Sequence, residues 1–120
     1  MMWEVTVPAP AGWISSNQRI HRMEQAKLTK AWRLAGFAAA RNAGVPTLDR
    51  AAITAYVWKP RNGRYDPGNL YPTCKAVVDG FVDAGVLADD DWKHLDGPDM
   101  RHGGKGENAL ILRISAQENA

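Results

Sequence analysis

The sequence predicts a small α+β protein, a two-layer fold with the element order β-α-β-α-β-β, a mixed sheet and two helices. Short stretches that alternate apolar and polar residues are typical of half-buried strands, and longer stretches with apolar residues every three to four positions are typical of amphipathic helices. A chain of 120 residues, 45% of them hydrophobic and 23% charged, has the size and composition of one globular domain. We therefore expect one domain over residues 1–120.

The first three elements follow from local patterns. Residues 3–7 alternate apolar and polar and end at Pro8, which predicts a strand. Residues 22–43 carry apolar positions on one face and a basic stripe on the other, which predicts a helix that ends at Gly44. Residues 52–58 are β-branched and aromatic, which predicts a second strand.

The second half begins with another helix. Asn69 as its N-cap places Pro72 in the first turn, where the missing N–H of proline does no harm. Gly85 ends this helix. The remaining predictions are a third strand, a glycine-rich turn, a fourth strand that closes a hairpin, and a frayed tail, over residues 92–101, 103–106, 109–114 and 116–120.

The net charge of +2 conceals two segments of opposite sign. Residues 1–64 carry ten basic and three acidic side chains, whereas residues 65–100 carry two basic and eight acidic ones, all aspartate. A basic surface around a carboxylate-rich site suits a phosphate polymer together with a divalent cation. Two separately solvated faces explain the same partition equally well.

Some protein classes are excluded at this stage. Cys74 is the single cysteine, which excludes an internal disulfide. No segment is apolar for long enough to span a bilayer, and the first residues lack the pattern of a secretory signal. We therefore expect a cytoplasmic protein with no membrane partner.

Carboxylates flank the second predicted helix at both ends. Asp66 lies on a tight turn before the helix, where the helix dipole favours the ionised carboxylate. Three adjacent aspartates, residues 89–91, follow the helix, and either a hard cation such as Mg²⁺ or solvent relieves their mutual repulsion. Lys75 is placed to neutralise charge developing on a phosphate, and its spacing equally suits an ion pair with Asp79.

Three motifs follow one another in this half of the chain: Asp66-Pro67-Gly68-Asn69-Leu70, Lys75-Ala76-Val77-Val78-Asp79 and Gly85-Val86-Leu87-Ala88-Asp89-Asp90. Together they resemble the RusA-like Holliday junction resolvases, a family of crossover junction endodeoxyribonucleases. The opening segment around Asn17-Gln18-Arg19 is similar to that family as well. The resemblance covers nearly the whole chain. It implies a homodimeric, Mg²⁺-dependent endonuclease, with Mn²⁺ able to substitute, that nicks four-way DNA junctions in bacterial or phage-infected cells.

The resemblance also implies the roles of single residues. Asp66 matches the first catalytic aspartate of the family, Lys75 the catalytic lysine, and Asp90 an aspartate of the Asp-Asp pair. It follows that Asp66 and Asp90 hold the metal. Three further aspartates are alternative ligands: Asp79, Asp89 and Asp91.

One position departs from the family pattern. Gly68 stands where the family has a second catalytic aspartate, and glycine has no side chain with which to bind a metal. Either another aspartate takes over, or metal affinity and cleavage are weakened. The alternative function is therefore a weakened or inactive protein that binds branched DNA.

The expected DNA surface is basic. Phosphate contacts position DNA without reading its sequence, and they make binding depend on salt. The candidate contacts are Arg19, Arg22, Lys27, Lys30, Arg33, Arg61, Arg64 and Lys105. Two symmetric cuts require two sites, so we expect a homodimer with a two-fold axis.

Overall fold

The computed structural model describes residues 1–61 and 63–118. Within them, no helix is both long enough and apolar enough to span a bilayer. The elements are β1 (Met2–Pro8), α1 (Arg22–Ala43), β2 (Arg50–Lys59), a 3-10 turn (Pro67–Leu70), α2 (Tyr71–Asp83), β3 (Leu95–Lys105) and β4 (Ala109–Gln117). The predicted α+β fold with two helices is confirmed.

The strand order in the sheet is β1-β4-β2-β3. β4 runs antiparallel to both β1 and β2, whereas β2 and β3 are parallel, so the sheet is mixed as predicted. The predicted hairpin between the last two strands is wrong, because β2 lies between them. Leu110 and Leu112 of β4 are fully buried in the sheet centre. β3, with Pro98 and several polar residues, occupies the edge, where an unpaired proline nitrogen is tolerated.

Both helices cover the same face of the sheet. Alternate strand residues are buried on that face, as at Val5, Ile53 and Leu112, while their neighbours in the strands stay partly or fully exposed. The helices contribute Trp32 and Phe81 to the same core, each with no exposed surface. The arrangement is therefore the predicted two-layer one.

Two glycines let the helices approach closely. A Cβ atom at Gly36 would lie 2.5 Å from the carbonyl oxygen of Val77, and one at Gly80 would lie 2.7 Å from the amide nitrogen of Phe37. Real Cβ atoms do not come this near to backbone, so α1 and α2 cross with only glycine between them. This contact fixes the position of α2, the helix that carries Lys75 and Asp79.

The start of α2 differs from the prediction, because Asn69 is not its N-cap. Asp66 instead caps the 3-10 turn, and its Oδ1 accepts the N–H of Gly68 at 2.9 Å. α2 then begins at Tyr71 with Pro72 in its first turn, as predicted. The 3-10 turn allows a cap at Asp66 without a proline in the helix interior, which would cost about 3 kcal/mol.

β3 begins and ends later than predicted. The carbonyl of Asp91 accepts the N–H of His94 at 3.1 Å and that of Leu95 at 2.9 Å, which closes a turn where the strand was expected. The predicted glycine-rich turn lies largely within β3, since Gly104 and Lys105 pair with Trp58 and Lys59 of β2. The chain turns only after β3, just before β4.

The predicted frayed tail is wrong for its first residues. Ala116 and Gln117 belong to β4 and pair with Ala51 and Arg50 of β2. The guanidinium of Arg50 also donates to the side-chain oxygen of Gln117 at 3.0 Å, which extends the strand pairing to its last residue. Residues 119–120 lie outside the part of the chain that the structure describes.

Candidate active site

Lys75 joins two of the predicted carboxylates. Asp79 lies one helical turn further along α2, and its Oδ1 accepts from Lys75 Nζ at 2.8 Å. α2 ends at Asp83, and the chain then returns so that Asp90 Oδ2 accepts from the same nitrogen at 2.5 Å. The predicted ion pair between Lys75 and Asp79 is present, and it is one half of a three-residue cluster.

The cluster is held by charge. Burial lowers the pKa of Lys75, but its hydrogen bonds to Asp79 and Asp90 outweigh burial and raise that pKa to about 12. The hydrogen bond from Lys75 holds the pKa of Asp90 below its usual range. Lys75 and Asp90 therefore both carry their charges at neutral pH, and the Lys75 ammonium partly neutralises the two carboxylates.

The three adjacent aspartates have different hydrogen-bond partners. Asp89 Oδ1 accepts the backbone N–H of Asp90 at 2.7 Å. Asp91 Oδ1 lies 2.5 Å from Nδ1 of His94, and this hydrogen bond lowers the pKa of Asp91. Of the three, Asp90 is the aspartate that contacts Lys75. Residue type and spacing do not distinguish three consecutive aspartates, whereas the motif resemblance pointed to Asp90.

Asp66 lies in a different environment. It caps the 3-10 turn through Gly68 and lines a polar cleft of about 450 Å³ together with Asn17, Lys59 and Arg64. The loop on the far side of the cleft is tied to the same turn, because Ser16 N–H donates to the Asn69 carbonyl at 2.8 Å. The exposed carboxylate of Asp66 thus faces amide and cationic side chains.

The structure does not join the two parts of the predicted site. Within residues 1–61 and 63–118, no hydrogen bond or ion pair links Asp66 to Lys75, Asp79 or Asp90. Over the same residues, no three His, Cys, Asp or Glu side chains converge on a metal-sized site. The carboxylate oxygens present are nevertheless the donors that Mg²⁺ prefers, and Mg²⁺ commonly takes only one or two of them. The donor chemistry fits this ion.

Gly68 lies next to the carboxylate of Asp66 and has no side chain with which to add a second metal ligand there. A Cβ atom at this position would be 3.3 Å from Asp66 Oδ1, and Gly68 does not adopt a positive φ. The backbone at Gly68 can therefore carry a side chain once Asp66 Oδ1 shifts by a few tenths of an ångström, and an aspartate there would place a second carboxylate next to the first.

The predicted DNA contacts divide into two surfaces. Arg22, Lys30 and Arg33 line a shallow cleft along α1, with Lys27 exposed nearby on the same helix. Arg33 is already engaged, because its guanidinium donates two hydrogen bonds to Asp83 of α2, at 2.6 and 2.8 Å. Those bonds raise the pKa of Arg33 and lower the pKa of Asp83.

The second basic surface surrounds the loop before Asp66. Arg61 and Arg64 are exposed there and line a cleft with Lys59. Arg19 and Lys105 are exposed as well, Lys105 at the end of β3. The prediction missed Lys59, although its place at the start of a basic loop was a usable signal.

Comparison with known proteins adds no relative to this description. No protein-family model matches the chain. No curated protein matches it either. The assignment of function therefore depends on the motifs and on the geometry of the side chains.

Proposed function

We propose that the protein is a metal-dependent, structure-selective endonuclease that nicks four-way DNA junctions and acts in recombination and repair in bacterial or phage-infected cells. The observation that carries this proposal is the contact between Lys75 and Asp90, 2.5 Å long. It joins residues from two separate motifs, and Asp66, from the first motif, lies on the turn that leads into the same helix. The segregated basic half of the chain supports a phosphate polymer as the substrate.

The carboxylates would hold the metal. Asp66 and Asp90 are the proposed ligands, with Asp79, Asp89 and Asp91 as further oxygen donors near Asp90. When bound, Mg²⁺ or Mn²⁺ polarises the scissile phosphate and lowers the pKa of water, the usual chemistry of such ions.

Lys75 has its own part in the proposed reaction. Because its pKa is about 12, it keeps its proton throughout the physiological range and acts as a fixed positive charge rather than as an acid or base. A fixed cation stabilises the extra negative charge that develops on phosphate oxygens in the transition state. Asp79 orients the ammonium by its hydrogen bond of 2.8 Å.

The exposed basic residues of α1 and of the loop before Asp66 supply phosphate contacts. Such contacts fix the DNA in place without reading its sequence, and each one adds to the salt dependence of binding. A chain of 120 residues is small against a four-way junction, and two symmetric cuts need two sites, so we propose that a homodimer is the active form.

A synthetic four-way junction with labelled arms tests the proposal. In Mg²⁺ or Mn²⁺ the wild-type protein should introduce paired nicks, and Asp66→Asn should bind the junction with unchanged affinity but cut it at least about 100-fold more slowly. Asp49→Asn, which removes the same charge from an exposed loop, is the matched control and should cut normally. A wild-type protein that binds the junction but leaves it uncut in both metals contradicts the nuclease proposal.

One set of observations favours a second candidate, a weakened or inactive protein that binds branched DNA. Gly68 removes a side-chain ligand, and Lys75 already occupies one oxygen of Asp90. A binding protein needs the basic surfaces and not the metal ligands. The two candidates differ in one measurement, since only the enzyme loses cutting when Asp66 is changed to Asn.

A further inference from the structure

A second cleft shares several lining residues with the cleft that contains Asp66. It has a volume of about 360 Å³, small for a ligand site, and Trp13, Lys59, Arg61 and Arg64 line it together with Tyr65. Trp13, Lys59, Arg64 and Tyr65 also line the cleft that contains Asp66, so the two clefts are continuous through shared walls. A ligand in the second cleft would therefore touch the neighbourhood of the proposed catalytic carboxylate.

The aromatic walls of this cleft are held in place by hydrogen bonds. The indole N–H of Trp13 donates to the side-chain oxygen of Asn108 at 3.1 Å, and its ring lies 5.0 Å from that of Trp32 in the core. The hydroxyl of Tyr65 forms a hydrogen bond of 2.7 Å with Nδ1 of His102 on β3. Both rings are thus positioned before any ligand binds, which lowers the entropic cost of binding.

The charge of the cleft is positive. Lys59 Nζ lies 4.4 Å from the centroid of the Tyr65 ring and 5.7 Å from that of Trp13, so one ammonium group faces both aromatic rings. Arg61 and Arg64 are exposed at the rim, and no described lining residue is acidic. This combination of aromatic faces with cations suits a ligand that is both flat and anionic.

We infer that this cleft, here called the Trp13 cleft, binds one unpaired nucleotide of single-stranded DNA. The base would lie against Trp13 or Tyr65 after the flexible Lys59 side chain moves aside, and the flanking phosphates would contact Lys59, Arg61 and Arg64. A base within a duplex has both faces covered by its neighbours, so a stacking site of this kind selects an unstacked one. The placement of that nucleotide next to a cutting site rests on the proposed function, whereas the binding itself does not.

The test compares two labelled probes in EDTA, a short oligothymidylate and a blunt hairpin duplex of equal charge whose loop is a non-nucleotide linker, by fluorescence anisotropy at one salt concentration. The wild-type protein should bind the oligothymidylate more tightly than the hairpin. Trp13→Leu should weaken oligothymidylate binding about tenfold, the usual size of one stacking contact, and leave hairpin binding unchanged. Trp13→Phe, which keeps a smaller ring, should recover part of the loss.

Lys59→Met gives a second route that leaves the Trp13 ring in place, should Trp13→Leu fail to fold. Its matched control is Lys30→Met, which removes the same charge from the α1 surface and should weaken both probes by the same factor. Lys59→Met should weaken oligothymidylate binding more than hairpin binding. Equal wild-type affinities for the two probes, or equal losses for both probes in Lys59→Met, would overturn the inference.

Because EDTA removes the metal, this measurement is separate from cleavage. A protein that prefers the oligothymidylate but never cuts a junction supports the Trp13 cleft and contradicts the proposed nuclease. A protein that cuts junctions and shows no preference between the probes supports the proposed nuclease and contradicts the Trp13 cleft.

Discussion

Asp66 and Asp90 are proposed for one reaction, but their surroundings differ. Asp90 shares the ammonium of Lys75 with Asp79, at 2.5 and 2.8 Å, and the hydrogen bond from Lys75 holds its pKa below the usual range. Asp66 accepts one backbone hydrogen bond, from Gly68 at 2.9 Å, and otherwise faces a polar cleft. One carboxylate is already paired with a cation, while the other is positioned by a capping turn.

This difference separates stability from chemistry. An ion pair contributes to the folded state, so removal of Asp90 should affect both the fold and any cutting. A cap that asparagine can replace contributes little that depends on charge, so Asp66→Asn should affect cutting alone. Variants at or beside these residues test this contrast.

Apart from Asp66→Asn, the largest effect is expected at Lys75, which links Asp79 and Asp90. Lys75→Met should slow junction cutting by about 100-fold, because a fixed cation near the reacting phosphate is lost. Lys93→Met is the matched control, since Lys93 is exposed in the turn after Asp90 and contacts neither carboxylate. Gel assays of nicked product give both rates. Equal rates in the two variants would remove Lys75 from the reaction.

The next effect is a gain in cutting rate from a substitution beside Asp66. Gly68→Asp should raise the cutting rate about tenfold, because its Cβ position is 3.3 Å from Asp66 Oδ1 and a second carboxylate there strengthens metal binding. Without metal, the two adjacent carboxylates repel each other, so Mg²⁺ should raise the melting temperature of this variant more than that of the wild type.

Asn42→Asp adds one negative charge at an exposed position near the end of α1 that lines neither basic cleft, and serves as the control. It should change neither the cutting rate nor the effect of Mg²⁺ on melting. If Gly68→Asp behaves as this control does, another aspartate already fills the role, and Asp66 gains nothing from a neighbour.

A smaller effect concerns stability. Asp90→Asn should lower the free energy of unfolding by about 0.5 kcal/mol, the ordinary value of a partly exposed ion pair. Asp66→Asn should leave it unchanged within error, because asparagine caps helical turns as well as aspartate does. Urea denaturation of the three proteins gives the comparison. A larger loss of unfolding free energy for Asp66→Asn than for Asp90→Asn would contradict the proposed difference between the two aspartates.

The smallest effect is the pH dependence of the stability that the Asp90 ion pair contributes. Because the folded-state pKa of Asp90 is lowered, its ion pair stabilises the protein above the ordinary aspartate pKa and is lost as pH falls through the lower folded value. Lys75 keeps its charge throughout this range. The difference in unfolding free energy between wild type and Asp90→Asn should therefore shrink below about pH 4. A difference that stays constant down to pH 2 would exclude this ion pair as its source.

Local elements were predictable where one periodicity dominates. The helix α1 spans residues 22–43 as predicted, since its apolar stripe and Gly44 leave few alternatives. β3 was predicted too early in the chain, because its Gly, Pro and Asp residues carry no clear period. The turn that Asp91 closes before it depends on backbone hydrogen bonds. The start of α2 differed because a 3-10 turn satisfies both the Asp66 cap and Pro72.

The residues of the candidate site were likewise predictable only where local spacing or a motif identifies them. Spacing along one helix pointed to Lys75 and Asp79, and local geometry follows from such spacing, whereas the motif resemblance pointed to Asp66 and Asp90. Which of three consecutive aspartates meets Lys75 depends on how the chain returns after Gly85, a path set by distant contacts. The Trp13 cleft was not predicted at all, because its walls come from loops that are far apart in sequence.

The α+β class, the order of the elements and the separation of basic from acidic segments could be read from the sequence, because these properties follow from neighbours along the chain. Tertiary structure decided that β4 enters the sheet between β1 and β2, and that glycines bring α1 against α2. It also decided that Asp90, rather than Asp89 or Asp91, contacts Lys75. These outcomes depend on burial of apolar strands and close packing of helices, and both are properties of the whole fold.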